Sequence, residues 1–561
     1  MSESKIYGID LGTTYCCVAR INESGQAEVI RNSLNEATTP AAVYFESPEN
    51  IIVGRVAKES GNMSPERLAV FVKREMGNPD WYFPDPDDPG KKHNSSEVSA
   101  FTLAHLVKDA NEIINDKITK VVITCPAYFG TVEKEAVKAA GKIAGLEVVS
   151  ILEEPVAAAI SYGVHQEGTK TILVYDLGGG TFDVTVIAVT PDKIQVVCTD
   201  GDHRLGGKDW DDQIVKYFVE EFSREYPEAD IEADESSMYN LQIEAEKAKQ
   251  DLSHLQKVKK RIQHDNKSVH VELTRDKFTE LTRDKLESTI NFTREVINKA
   301  RAKGFNVIDE VVLVGGSTFM PQVPEALQAE LGQEPKRHDP NQAVALGAAL
   351  YGNQLMSRLN IIAELIDGGL NKDEAEAVAD GRLDIDSTSL PDEAKAELKP
   401  QLLLGGAGGR TVSNVTSKTY GLFCSVRERE GGQIVEKISN VLMHNTTVPC
   451  RIVTTDGFAT LVANQTGVDI RVAEGNSDEV LVPPDQGEEI GQGQITGLPS
   501  NLPAGTPIGV IFDLDDHGLL TVDAECQGQK VRVEIQLVGV MTEAEIETAK
   551  AQHTGIAITA G

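Results

Sequence analysis

Two aspartates in this chain each close an apolar run and lead into a glycine-containing turn. Asp10 precedes Leu11-Gly12-Thr13-Thr14, and Asp176 precedes Leu177-Gly178-Gly179-Gly180-Thr181. Glycine lets backbone N–H groups come close to phosphate oxygens because no Cβ intervenes. A carboxylate at the strand end beside such a turn can hold Mg²⁺, through its retained waters, against β- and γ-phosphates. A third turn, Gly315-Gly316-Ser317-Thr318, follows the apolar run Val311–Val314 and could approach an α-phosphate or a ribose. Any one of these alone is an ordinary turn. Three together, two of them led by Asp, point to a Mg-triphosphate site. The chain contains no GxxxxGK[ST] string, so the site is not a P-loop.

These turns need strands to aim them. Ile6–Asp10, Val121–Thr124, Thr171–Asp176, Val184–Val189 and Val311–Val314 are short β-rich apolar runs. Amphipathic stretches lie between them. In Leu241–Leu255 the positions Leu241, Ala245, Ala248, Leu252 and Leu255 follow a helical period and predict one buried stripe. Alternating strands and helices over residues 1–355 imply an α/β domain. Each Asp-led turn joins two β-rich runs, which predicts two similar lobes facing a cleft.

Residues 356–410 read as a helical insert and linker. Lys372–Ala379 and Asp392–Leu398 are short helices, with Gly381 at a helix end and Pro391 at a helix start. Leu402-Leu403-Leu404 and Gly405-Gly406-Ala407-Gly408-Gly409 then make a joint. Residues 411–540 alternate β-rich runs with turn clusters at Asn445-Thr446, Thr455-Asp456-Gly457, Pro483-Pro484-Asp485 and Asp515-Asp516-His517-Gly518. That spacing predicts an all-β sandwich. Residues 541–561 predict a short helix opened by Thr542 and Glu545 in capping-box spacing, then a frayed tail.

The 561 residues suit several domains, and 40% apolar with 25% charged residues is a globular balance. A formal net charge of −33 disfavours nucleic-acid or anionic-membrane partners. No secretory signal and no apolar run of membrane-spanning length is present in the sequence. The seven Cys lack CxxC spacing and read as reduced, mostly core thiols of a cytoplasmic protein; Cys16 and Cys17 read as strand packing.

The first ~350 residues resemble the nucleotide-binding domain of Hsp70 chaperones. The strings that carry the resemblance are Ile9-Asp10-Leu11-Gly12-Thr13-Thr14-Tyr15, Tyr175–Val184 and Val312–Thr318. Pro126-Ala127-Tyr128-Phe129, Glu153–Ala159 and Leu205-Gly206-Gly207-Lys208-Asp209 extend it across both lobes. The resemblance implies an actin-like, two-lobed ATPase domain using ATP/ADP, Mg²⁺ and K⁺. By position it makes Asp10 and Asp176 carboxylates of the Mg²⁺ water shell, and places Asp183 near the attacking water and K⁺. It makes Glu154 an outer-shell glutamate, Lys73 the γ-phosphate lysine, and Thr13, Thr14 and Thr181 phosphate contacts. Gly12, Tyr15, Gly178, Gly179, Gly180, Gly207, Gly315, Gly316 and Ser317 fall on its nucleotide-binding strings. Glu246, Lys249 and Ser253 match its ribose and adenine contacts. Two positions depart: Gln250 and Phe319 stand where the family has arginines against adenine, so an aromatic ring is expected to stack there instead. Asn341 stands where an acidic residue is expected.

Asn445-Thr446-Thr447-Val448-Pro449 and Phe512–Val522 resemble, more weakly, the family's peptide-binding sandwich. They imply an extended polypeptide gripped by main-chain hydrogen bonds. The resemblance also implies J-domain and nucleotide-exchange partners and a part in protein folding and the stress response. The loop Val426–Lys437 is longer and more charged than the family's, the helical lid is expected to be missing, and Leu402–Leu404 is the expected coupling strand. The expected function is an ATP-hydrolysing, lidless chaperone. The alternative is a nucleotide-gated peptide-binding or scaffold protein with negligible ATPase activity. A sugar kinase is disfavoured by the sandwich.

Overall fold

Residues that must be buried on both faces form the two main sheets. The computed structural model describes residues 5–163, 168–191, 193–379, 382–401, 411–427, 433–515, 520–533 and 540–560. In the first sheet the strand order is Glu147–Glu153, Lys120–Cys125, Ile6–Asp10, Tyr15–Ile21, Ala27–Ile30. Ile6–Asp10 runs parallel to Lys120–Cys125 and antiparallel to Tyr15–Ile21. The second sheet repeats the plan: Lys336–Arg337, Glu310–Val314, Lys170–Leu177, Phe182–Val189, Lys193–Asp202. Here too the Asp-bearing strand has a parallel neighbour on one side and a hairpin partner on the other. Buried parallel strands carry continuous apolar runs rather than alternation, which is why they stand out in the sequence.

Two helices fill the space between the sheets. Ala343–Asp367 packs against Glu154–Gly163 and against the strand Ile6–Asp10. The approach is close enough to exclude a side chain: a Cβ on Gly8 would lie 2.3 Å from Ala349 N, and one on Gly347 1.8 Å from Ala157 O. The core here draws on both sheets, with Ile6 and Val122 beside Ile172, Val174 and Val344. This α/β body, followed by an all-β unit, fits the expected fold class.

Several sequence expectations change. One continuous helix, Ala343–Asp367, runs through the boundary expected at 355. Leu255 lies beyond the end of the helix Glu235–Leu252 and is exposed, while Leu241, Ala245, Ala248 and Leu252 form the buried stripe. Ile361, Ile362 and Leu365 then pack with Ala375, Val378, Leu390 and Leu398 of the next two helices into a small core of their own. Thr411–Ser413 belongs to the second sheet, pairing parallel with Lys193–Asp202. The expected coupling strand Leu402–Leu404, the glycines after it, Gly381 and 516–519 lie outside the described residues. Much of Val426–Lys437 is paired strand, with Val426 opposite Val435 and Arg427 opposite Ile434. Thr455-Asp456-Gly457 lies within the strand Cys450–Ala459, where the register shifts between Thr454 and Phe458. Cys16 and Cys17 are buried in the strand Tyr15–Ile21.

The tail does not fray. Thr542 and Glu545 form the capping box, and the helix Glu543–Thr554 buries Ile546 and Ala549 against Ala100, Ala139 and Ile143. Ala557–Thr559 then adds as a parallel strand to Asn50–Val53. The His553 ring stacks on Phe101 at 3.9 Å and 7°. A pattern of three residues is too short to announce a strand whose partner lies some five hundred residues earlier.

Among the described residues the sandwich has five strands in one sheet and four in the other. Its base rests on the α/β body. Ser417 Oγ donates to Phe129 O at 2.8 Å, and Thr131 and Tyr420 share a hydroxyl–hydroxyl bond at 3.1 Å. Thr199 N–H donates to Asn445 Oδ1 at 2.9 Å, and Lys303 Nζ donates to Asn445 O at 2.8 Å. Among the described residues no helix is long and apolar enough to cross a membrane.

Two carboxylates meet at this base. A Cβ on Gly130 would lie 2.5 Å from Glu474 Oε1 and 3.1 Å from Glu133 Oε2. One oxygen of each acid is buried without a hydrogen-bond partner. Burial, and then the Glu133 charge, push the Glu474 carboxyl up to about 7, against the pull of Lys418 and the Tyr420 hydroxyl; Glu488 adds to the rise. An acid whose pKa rises on docking docks best when protonated. The contact should therefore be strongest below about pH 4.5 and weaken progressively as pH rises to about 7, by about 3 kcal/mol in all. Fluorescence transfer between labels on the two units, followed from acid to alkaline pH, should show that loss. Glu474→Gln should flatten the profile.

Candidate functional site

The two Asp-led turns touch across the cleft between the sheets. A Cβ on Gly179 would lie 2.1 Å from Thr14 Oγ1, and one on Gly180 2.2 Å from Thr13 Cγ2. Glycine is demanded there by the meeting of the turns. The third turn abuts them: Gly315 has φ +82°, and a Cβ on it would lie 2.5 Å from Asp176 Oδ1. Ser317 Oγ donates to Gly178 O at 2.8 Å, and Gly207 N–H donates to the same carbonyl at 3.0 Å. Arg74, from the first lobe, donates through Nε to Gly180 O at 2.8 Å and pairs with Asp209. It pins the glycine turn of the second lobe in place.

Four carboxylates and one ammonium face the floor of this cleft. Asp176 and Asp183 stand directly opposite each other on paired strands. Asp10 comes from the first sheet, where Thr124 Oγ1 donates to it at 3.1 Å. Glu154 opens the helix Glu154–Gly163 and forms an ion pair with Lys73. Burial, and then the Glu154 charge, push Asp10 up to about 7 and raise Asp176 and Asp183 well above the usual carboxylate range. Tyr128 N–H donates to Asp183 Oδ1 at 3.2 Å, which partly offsets this. Burial opposes the Lys73 charge, but Glu154 and Asp10 more than compensate and hold its pKa up.

So many acids around one lysine suit a hard dication, whose charge reverses their repulsion. Asp10, Asp176 and Asp183 are the side chains that would hold it. Among the described residues no three His, Cys, Asp or Glu side chains converge closely enough to chelate a bare ion.

A cleft of about 380 Å³ opens above this floor. Asp10, Gly12, Thr13, Thr14, Tyr15, Lys73, Glu154, Asp176, Gly178, Gly179 and Thr181 line its deep end. Glu246, Lys249, Gln250, Ser253, Gly315, Gly316, Ser317 and Phe319 line its outer end. Gly180, Asp183 and Gly207 are not lining residues, and Asp183 reaches the floor region through its pairing opposite Asp176. Lys249 is already held by protein partners, donating to Gly207 O at 2.9 Å and to Asp211 Oδ2 at 2.7 Å. Glu246 takes the Tyr15 hydroxyl at 3.3 Å and pairs with Lys58, so this contact spans the cleft. Asn341 lines the cleft beside Gly316.

Sequence reasoning missed Lys58, Arg74, Asp211 and Arg337. Arg74 had a signal, because it adjoins Lys73 in a matched string. Lys58 and Arg337 carry no motif, and only the folded chain brings Lys58 to the cleft and Arg337 to the Phe319 ring.

A family model described as Hsp70 protein matches residues 6–87, 83–362 and 421–557. The matched spans hold all three turns, the acid cluster with Lys73, and most of the sandwich. Residues 363–420 fall outside them and include the two short helices of the insert. With the match spanning most of the chain and the three turns converging on one acid-lined cleft, this chain belongs to the Hsp70 family.

Proposed function

We propose that this protein is an ATP-driven chaperone, in which an actin-fold domain binds and slowly hydrolyses Mg-ATP and the β-sandwich holds extended, unfolded polypeptide. The observation that carries the reading is the contact of the two glycine turns directly above Asp10, Asp176, Asp183, Glu154 and Lys73. Asp10, Asp176 and Asp183 would hold a Mg²⁺, which when bound would supply neutralisation of phosphate charge. The chain's own residues do the rest by position and charge. Thr13, Thr14 and Thr181 offer hydroxyls to phosphate oxygens, Lys73 offers its ammonium to the γ-phosphate, and Asp183 and Glu154 orient the attacking water. Asp183 is also the acid a K⁺ would approach. Little covalent work is asked of the protein.

The sandwich supports the peptide half of the reading. The chain runs away from the α/β body along Thr419–Arg427, returns along Ile434–Leu442, leaves along Cys450–Ala459 and returns along Gly467–Gly475. The far ends of these strands therefore meet away from the base. Ile434, Leu461 and Val462 are exposed at that far end, where an apolar segment of a client would find partners. The helix after the sandwich, Glu543–Thr554, packs on the α/β body and so does not cover this end. Peptide held there should leave fast. J-domain and nucleotide-exchange proteins are the partners the family membership suggests. Single-turnover hydrolysis with and without unfolded peptide tests the reading, and peptide is expected to quicken it. A nucleotide-gated binding protein with negligible hydrolysis is the reading that a flat result would leave.

A further inference from the structure

We infer that Phe319, backed by Arg337, is the base platform of the cleft, and that the site consequently takes purine triphosphates with little discrimination between adenine and guanine. The inference rests on the reading of the cleft as a triphosphate site and adds its base range.

Phe319 ends the single 3-10 turn Gly316–Phe319 and lines the outer cleft with 37% of its surface open. An aromatic ring left that exposed at the mouth of a polar cleft is a surface awaiting a flat partner. The Arg337 guanidinium lies 5.7 Å from the ring centroid, and its Nη2 donates to Thr318 O at 3.5 Å. Arg337 does not line the cleft. It therefore occupies the outer side of the ring and steadies it by a cation–π contact, leaving the other face to the cleft.

Depth places the base there. Glu246 is bonded to Tyr15 and Lys58 across the cleft and is half-buried, whereas Phe319 is exposed. Across from Phe319, the end of the helix Glu235–Leu252 presents Gln250 and His254, both exposed. Gln250 reaches back to Glu246 at 3.5 Å, and the Ser253 hydroxyl donates to Lys249 O at 3.3 Å. Strong rejection of a wrong base requires buried polar groups that the wrong base leaves unpaired. Gln250 and His254, the polar groups at the mouth, are open to water, which replaces a lost partner. Stacking then dominates, and stacking accepts any base in proportion to its flat area.

The test is calorimetric binding of Mg-ATP, Mg-GTP, Mg-UTP and Mg-tripolyphosphate to the full chain and to F319A, F319W and R337Q. Mg-ATP and Mg-GTP should bind within about tenfold of each other, and Mg-UTP more weakly. F319A should weaken both purine nucleotides by about 10- to 100-fold and leave tripolyphosphate unchanged. F319W should keep purine affinity, and R337Q should show a smaller loss than F319A. If tripolyphosphate binds but ATP affinity is indifferent to F319A, or if ATP outbinds GTP more than 100-fold, the base platform is overturned while the phosphate site stands. If neither ATP nor tripolyphosphate binds, the phosphate-site reading falls and takes the inference with it.

Discussion

Alanine in place of Lys73 is expected to slow single-turnover ATP hydrolysis by about 10²- to 10³-fold, the range for loss of one preorganised charge at a reacting group. Lys73 is buried, pairs with Glu154, and its charge acts on Asp10, Asp176 and Asp183 at the cleft floor. Removing it takes a cation away from the γ-phosphate position and leaves Glu154 without its partner. Breaking a buried pair from one side costs roughly 3–5 kcal/mol. A thermal melt run beside the kinetics separates a stability loss from a catalytic one. Bound Mg-ATP should return part of the stability to the variant. A rate within threefold of the parent chain, in a variant that remains folded, would exclude Lys73 from the chemistry.

Ending the chain after Val540 is the second large perturbation. The removed segment buries Ile546 and Ala549, covers Phe101 with His553, and supplies the strand beside Asn50–Val53. Ile556 and Ile558 pack on the same core as Val43, Phe45 and Phe101. Loss of that burial is worth roughly 5 kcal/mol, so the melting temperature of the nucleotide domain should fall by roughly 5–10 °C. The sheet concerned also contains Leu68–Val70, which leads directly into Lys73, and its opened edge is a place for unwanted pairing. Calorimetric unfolding of the truncated chain, with light scattering for aggregation, checks both effects. A melt unchanged by truncation would mean that the tail is not held as the structure has it.

The sequence showed most clearly what local chemistry enforces. Fully buried strands such as Val121–Ile123 and Leu173–Tyr175 leave apolar runs, and the two Asp-led turns repeat because the two sheets repeat. Glycine at Gly179 and Gly180 was legible as a turn, but its reason, contact with Thr14 and Thr13 of the other lobe, was not. Contacts made across hundreds of residues left no pattern. Lys58 with Glu246 and Ala557–Thr559 with Asn50–Val53 are of this kind. Glu474 is illegible for another reason: a glutamate reads as surface, and only docking of the sandwich buries it. The helix Ala343–Asp367 crosses the expected boundary because Leu355 and Met356 still pack on the main core and the same helix then carries Ile361, Ile362 and Leu365 into the small core of the insert.

On the proposed function, the acid-lined cleft is coupled to the sandwich through the contacts of Thr131 with Tyr420 and of Thr199 and Lys303 with Asn445. Single-turnover hydrolysis of Mg-ATP, with enzyme in excess and an unfolded apolar peptide titrated in, tests that coupling most directly. The account predicts a slow basal rate that rises with peptide to saturation and vanishes when Mg²⁺ is chelated. A rate that ignores peptide at every concentration, while Mg-ATP is still cleaved, would contradict the coupling.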